Sequence, residues 1–284
     1  MTSSNIKSPV PVGVAGAAEG QGRPSSAPRK RGRIKVRAWQ VVLLLAWIGL
    51  WQWTADAGIL DPVLSKSPEQ SWNYLTAAAE SGELWSNTRA TMTAVLLAWV
   101  MAGIAGVIAG LALGLLPITE RIFMPYLEAM NSMPRIALAP LFIVAFGIGL
   151  WAKVALAATL VFFIVMSGAR AGIRSADAEW LRLSAVLGVN KFQLFTKVFF
   201  PVATPAIFAS LRLGLIYSLL GVVGSELISA ENGLGQLIAN YSAVFRMEAV
   251  YAILILLAVI AVILNQLMGA IEARLLSWQP PEER

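Results

Sequence analysis

The chain has 284 residues, 57% of them hydrophobic and only 13% charged, where an ordinary soluble domain carries about 25% charge. It contains neither cysteine nor histidine, which excludes thiol nucleophiles, disulfides, imidazole bases and nearly all transition-metal sites, so no catalytic residue, cofactor or metal is expected. The formal charge of +6 is no nucleic-acid signature, because eight of the 22 basic residues precede Trp39 and belong to one arm.

Residues 1–37 are rich in Ser, Pro, Gly and Ala and end in the basic run Pro28 to Arg37. They lack the apolar surface that would offset chain entropy, and are expected to form a disordered arm whose basic run anchors topology. Residues 38–278 form the membrane domain, and 279–284 a short tail. A span needs roughly 20 mainly apolar residues. The first is expected at about Trp39 to Thr54, with Trp47, Trp51 and Trp53 at an interface. Asp56 to Trp85 is too polar to cross and should hold a short interfacial helix.

The second span, about Thr88 to Leu116, carries Gly106, Gly110 and Gly114 at intervals of four, a face that admits another backbone. The third, about Ile122 to Ile148, contains Pro125, Pro134 and Pro140 and should be broken or kinked. The fourth runs from about Ala152 to Gly172, the fifth from Pro205 to Leu227 and the sixth from Ala249 to Ile271. The segment between the last two is turn-rich at Glu231 to Gly235. With the N-terminus inside, most basic residues fall on the cytoplasmic side, leaving Lys66, Lys153 and Arg246 outside, with Arg89 a further candidate for that side. The expected fold is an all-α polytopic membrane protein with both termini in the cytoplasm.

The polar loop between the fourth and fifth spans is the most informative stretch. Leu181 to Leu187 form a short helical segment, and Gly188 is placed to cap it in the left-handed conformation. Phe192, Phe195 and Phe199 come next at spacings of three and four, which predicts one shared helix face, and Pro201 and Pro205 are expected to redirect the chain into the fifth span. Intramembrane polar residues are costly. Ser218, Ser225 and Glu226 on the fifth span are candidates to line a pathway, with Glu226 alternatively reaching an interface or a neighbouring span. Asn131, Ser132, Arg135 and Ser167 are further candidates, and Asn265 and Gln266 suit hydrogen bonds between helices.

The loop resembles the cytoplasmic signature of the permease subunits of ATP-binding-cassette (ABC) importers: Glu-Ala-Ala, three residues, Gly, nine residues, Ile, one residue, Leu-Pro. Gly188 is followed after nine residues by Val198, Phe199, Phe200 and Pro201, while Arg182, Leu183 and Ser184 stand at the opening triplet. Asn131 to Lys153 and Gly224 to Ile238 are similar to the sulfonate, nitrate and taurine branch of these permeases. The resemblance implies a translocation subunit for a small solute, with sulfonate-like organic anions first among its substrates. It also implies two copies of a cytosolic ATPase docked on the loop, a second permease copy, and an external solute-binding protein, periplasmic or lipid-anchored. Arg182 in place of the usual glutamate points to an acidic contact, on the ATPase or on nearby Asp177 or Glu179. The chain lacks a G-x-x-x-x-G-K-[ST] phosphate loop, so ATP hydrolysis is expected on the separate subunit. Two other classes, a self-contained secondary transporter or channel and a membrane enzyme, fit less well: there is no internal repeat, and Glu226 alone suggests an ion-coupling carboxylate.

Overall fold

The computed structural model describes residues 30–58, 61 and 64–276. The expected disorder of residues 1–29 and the tail at 279–284 lie outside the described residues. The described chain is helical, and five of its helices are long and apolar enough to cross a membrane, or six when one bent pair counts as a single span.

Two units are distinguished, divided at Ile48. α1 (Lys30–Asp56) runs through that boundary. It begins inside the basic run, so residues 30–37 are helical where disorder was expected. Lysine and arginine are good helix formers, and the adjoining apolar segment carries the helix backwards. In the first unit its apolar side chains, Trp39, Leu43 and Trp47 among them, are exposed. Such a surface is stable in hydrocarbon.

In the second unit the end of α1 is tied to the polar segment beyond it and to the last helix. Trp51 Nε1 donates to the Lys66 carbonyl at 2.9 Å, and its ring meets Tyr251 edge-on at 5.9 Å. The expected short helix in the polar segment is α2 (Pro68–Glu80), started by a reciprocal cap between Ser67 and Gln70 with proline in the first turn. α3 (Glu83–Leu115) comes next. The third span is α4 (Pro117–Asn131), a short 3₁₀ turn (Arg135–Leu138) and α5 (Ala139–Phe146), bent by 85°. The expected break is therefore present. It falls at Ser132 to Pro134, while Pro125 is accommodated inside α4.

α6 (Leu150–Arg174) is the central helix, packed along its length against α3 on one side and α9 (Phe200–Ile228) on the other. Lipid tails are as apolar as leucine, so close backbone approach holds these helices together. The glycine face of α3 supplies it. A Cβ on Gly106 would lie 2.8 Å from the Phe162 carbonyl oxygen, and one on Gly114 would lie 2.8 Å from Ile173 Cβ. The α6–α9 contact is made the same way, with Gly172 against Ala203 and Gly221 against Ala157.

Between α6 and α9 lie α7 (Ala178–Val186) and α8 (Lys191–Leu194). α8 continues through a π turn (Phe195–Phe199) directly into α9. The expected redirection at Pro201 and Pro205 does not occur. Pro201 sits in the first turn of α9 and Pro205 inside it, and the widened turn, closed by the Phe200 N–H on the Phe195 carbonyl, absorbs the register change. Phe192 is exposed, Phe195 is half-buried 6.0 Å from Phe200, and Phe199 packs near Ile173 and Ala203. α10 (Leu234–Ala243) and α11 (Met247–Leu275) complete the unit. Arg212 of α9 meets α11, its Nε donating to Asn265 Oδ1 at 2.8 Å and its Nη1 lying 3.4 Å from Glu272. Asn265 thus bridges helices as expected, whereas Gln266 is exposed.

Candidate functional site

The elbow between α6 and α9 is built from local signals. Asp177 caps α7, accepting from the Glu179 N–H at 2.9 Å, and Asn190 caps α8 in a reciprocal arrangement with Gln193. Gly188 separates the two helices with φ +68°, in open space. Only Ser184 of α7 is buried, donating to the Trp180 carbonyl. Trp180, Leu183, Val186, Leu187 and Phe192 are exposed, Val186 at 85%. Arg182 is exposed and, among the described residues, makes no ion pair with Asp177 or Glu179. The elbow is therefore a stiff polar frame that presents apolar side chains.

The pathway candidates on α9 are all buried within this chain. Ser218 Oγ donates to the Val95 carbonyl of α3 at 2.8 Å, and Ser225 Oγ has no hydrogen-bond partner among the described residues. Glu226 reaches a neighbouring span: Lys153 Nζ of α6 stands 3.0 Å from its Oε1. Thr91 of α3 donates to the same carboxylate at 3.0 Å, and the Gly235 N–H does so at 2.9 Å. The remaining Lys153 donors go to the Asn232 carbonyl and side chain. A buried ion pair is tolerable when its spare donors and acceptors are also met, as they are here.

The same side chains cap α10. The N–H groups of Gly233, Leu234 and Gly235 donate to Asn87 Oδ1 (2.7 Å), Thr91 Oγ1 (2.9 Å) and Glu226 in turn. These are the groups that a helix start leaves without partners, and a carboxylate there also suits the helix dipole. An open cleft of about 410 Å³, lined by Ser86, Arg89, Thr93, Lys153, Glu231 and Asn232, lies beside this cluster.

A second cluster lies at the other end of α6. Glu120, in the first turn of α4, is buried between two arginines of α6: Arg170 at 3.2 Å, and Arg174 in direct contact. At the bend of the third span, Arg135 donates to the Thr159 carbonyl and to Asn131, with its guanidinium 4.4 Å from the centre of the Phe163 ring.

Residue types alone did not pair Lys153 with Glu226, because 73 positions separate them and the register of α6 on α9 is needed to see the contact. Glu120 was also missed. Its signal was the i,i+4 spacing of Arg170 and Arg174 on one face of an otherwise apolar helix.

Comparison with known proteins fits this architecture. Residues 102–277 match the family described as binding-protein-dependent transport system inner membrane component. The taurine transport system permease protein TauC of Escherichia coli K12 is 32% identical, covering 84% of this chain and 86% of its own length. The putative aliphatic sulfonates transport permease protein SsuC of Bacillus subtilis 168 is 28% identical over 90% of this chain and 93% of its own. The riboflavin transport system permease protein RibX of Chloroflexus aurantiacus is 32% identical over 84% and 89%. Among solved structures, an inward-facing form of the MetNI methionine ABC transporter (native crystal form) superposes with a TM-score of 0.58 at 19% identity. It covers 67% of this chain and 96% of that one. An amino acid ABC transporter gives 0.57 at 20% identity, with coverage of 70% and 97%. These two likenesses bear on the fold alone. The elbow, the spans and the match over residues 102–277 converge: the chain is a multi-pass membrane protein of the binding-protein-dependent transport inner-membrane family, the permease subunits of ABC importers.

Proposed function

We propose that this permease works as one of two identical copies, driven by two cytosolic ATPase subunits that dock on the elbow, and receives its solute from an external binding protein. The observation that carries the docking role is the exposed set Trp180, Leu183, Val186, Leu187 and Phe192 on a doubly capped, weakly packed elbow. Apolar side chains held on a polar frame suit a groove in a partner protein. The basic-residue bias supports an orientation with the elbow and both termini in the cytoplasm. The names of the relatives, taurine and aliphatic sulfonates prominent among them, support a sulfonate-like organic anion as substrate. No residue of the permease is assigned to substrate selection, which falls to the binding protein.

The test of coupling is Gly188→Val. Its φ of +68° is poorly suited to a β-branched residue, yet a Cβ there meets nothing within 4 Å, so the damage is confined to the elbow. The variant should insert normally but lose stimulation of the co-purified ATPase; wild-type stimulation would refute the docking role. Uptake of labelled taurine into proteoliposomes, competed by alkanesulfonates and by riboflavin, tests the substrate class. Competition by riboflavin alone would overturn it.

A further inference from the structure

The elbow is attached to the membrane body at two places of different construction. Towards α9 the chain stays helical but irregular: a four-residue α8, then a π turn, then Pro201 and Pro205, neither of which has a backbone N–H to donate. Towards α6 the link is a short non-helical turn. Only Ser175 to Asp177 separate Arg174, in the last turn of α6, from α7. That last turn is gripped by Glu120 through Arg174 and Arg170. The grip joins opposite helix ends, the first turn of α4 and the last turn of α6, where an acidic and a basic side chain respectively suit the dipoles. Glu120 is buried and Arg170 largely so, while Arg174 is exposed, so the pair with Arg170 is the less screened of the two. α7 makes no extensive packing contact of its own, which leaves its two chain connections to carry force. α4, in turn, is the first arm of the span bent by 85°.

We infer that Glu120 is a positioning residue for energy coupling: it passes movement of the elbow through the end of α6 to α4 and the bent third span. The inference rests on the elbow as the docking surface.

The experiment uses the permease–ATPase complex in proteoliposomes, with spin labels on Ala178→Cys in the elbow, an exposed position outside the docking set, or on the exposed Val144→Cys on α5, in a chain without native cysteine. Distances between the two permease copies are measured before and after ATP with vanadate. In the otherwise unaltered complex both labels should respond. With Glu120→Gln the ATPase should remain bound and the label at Ala178 should still respond, while the ATP-driven equilibrium reported at Val144 shifts back by about tenfold. Glu120→Asp should restore part of the response. Should Glu120→Gln fail to assemble, Arg174→Gln gives the milder version, because Arg170 still neutralises the buried carboxylate. It should weaken the Val144 response without altering that at Ala178. A full Val144 response in assembled Glu120→Gln or Arg174→Gln complexes would overturn the inference and leave the docking role intact. Absence of any Ala178 response in the otherwise unaltered complex would overturn both.

Discussion

α10 and α7 are short helices of similar length, each linking two spans, and they are finished in opposite ways. α10 has Leu234, Gly235, Leu237 and Ile238 buried, and its first N–H groups are capped by side chains from α3 and α9. α7 is capped by its own Asp177, buries only Ser184 and leaves Trp180, Leu183, Val186 and Leu187 exposed. One helix is complete within the chain. The other has the form of half an interface. The contrast separates residues that hold the permease together from residues proposed to meet the ATPase.

The largest effect should come from breaking the cluster at α10. Glu226→Ala leaves Lys153 charged and buried, and removes the cap on Gly235, at a cost of about 3–5 kcal/mol. Thermal unfolding in detergent should show this loss, and the double change Lys153→Met with Glu226→Leu should recover part of it. An unchanged melting temperature in Glu226→Ala would mean that the pair is dispensable. Gly235→Val comes next. A Cβ there lies 2.7 Å from Glu226 Cβ and from the Val223 carbonyl oxygen, so overpacking should cost about 1–3 kcal/mol.

Changes on α7 should divide differently between stability and partnership. Val186→Asp alters a side chain that is 85% exposed, so permease stability should move by less than about 0.5 kcal/mol. Retention of the ATPase should nevertheless fall about tenfold or more, as expected for an interface anchor. Arg182→Glu should also leave the isolated permease within about 1 kcal/mol of wild type. It should weaken ATPase retention at low salt and less so at high salt; equal or tighter retention would make Arg182 a bystander. The smallest effect belongs to Ser225→Ala. Its buried hydroxyl has no partner among the described residues, so removal should be neutral or slightly stabilising, within about 0.5 kcal/mol.

The sequence revealed features that depend on spacing along the chain. Apolar run lengths located the spans, the interval of four in Gly106, Gly110 and Gly114 located the close face of α3, and Gly188 with its flanks located the elbow. Features that depend on register between helices were hidden. Lys153 read as an outer-side charge because its contact with Glu226 exists only once α6 lies against α9. Pro201 and Pro205 read as a turn because proline usually ends a helix, whereas a π turn upstream removes the conflict and keeps the helix running. The first span was legible from its apolar run, expected from about Trp39 and found from Ala38, while the helix continues back through the charged residues from Lys30, where lysine and arginine favour helix.

The absence of native cysteine permits a direct comparison of the two regions. Val186→Cys on the elbow and Val244→Cys just after α10 are both exposed single thiols, and each is treated with a short bifunctional thiol reagent in the presence of the bound ATPase. If α7 is the half of an interface that the ATPase completes, Val186→Cys should give a permease–ATPase adduct and Val244→Cys none. Prior docking of the ATPase should also shield the Val186→Cys thiol from a soluble maleimide. An adduct from Val244→Cys with none from Val186→Cys would refute the assignment of α7 as the docking helix.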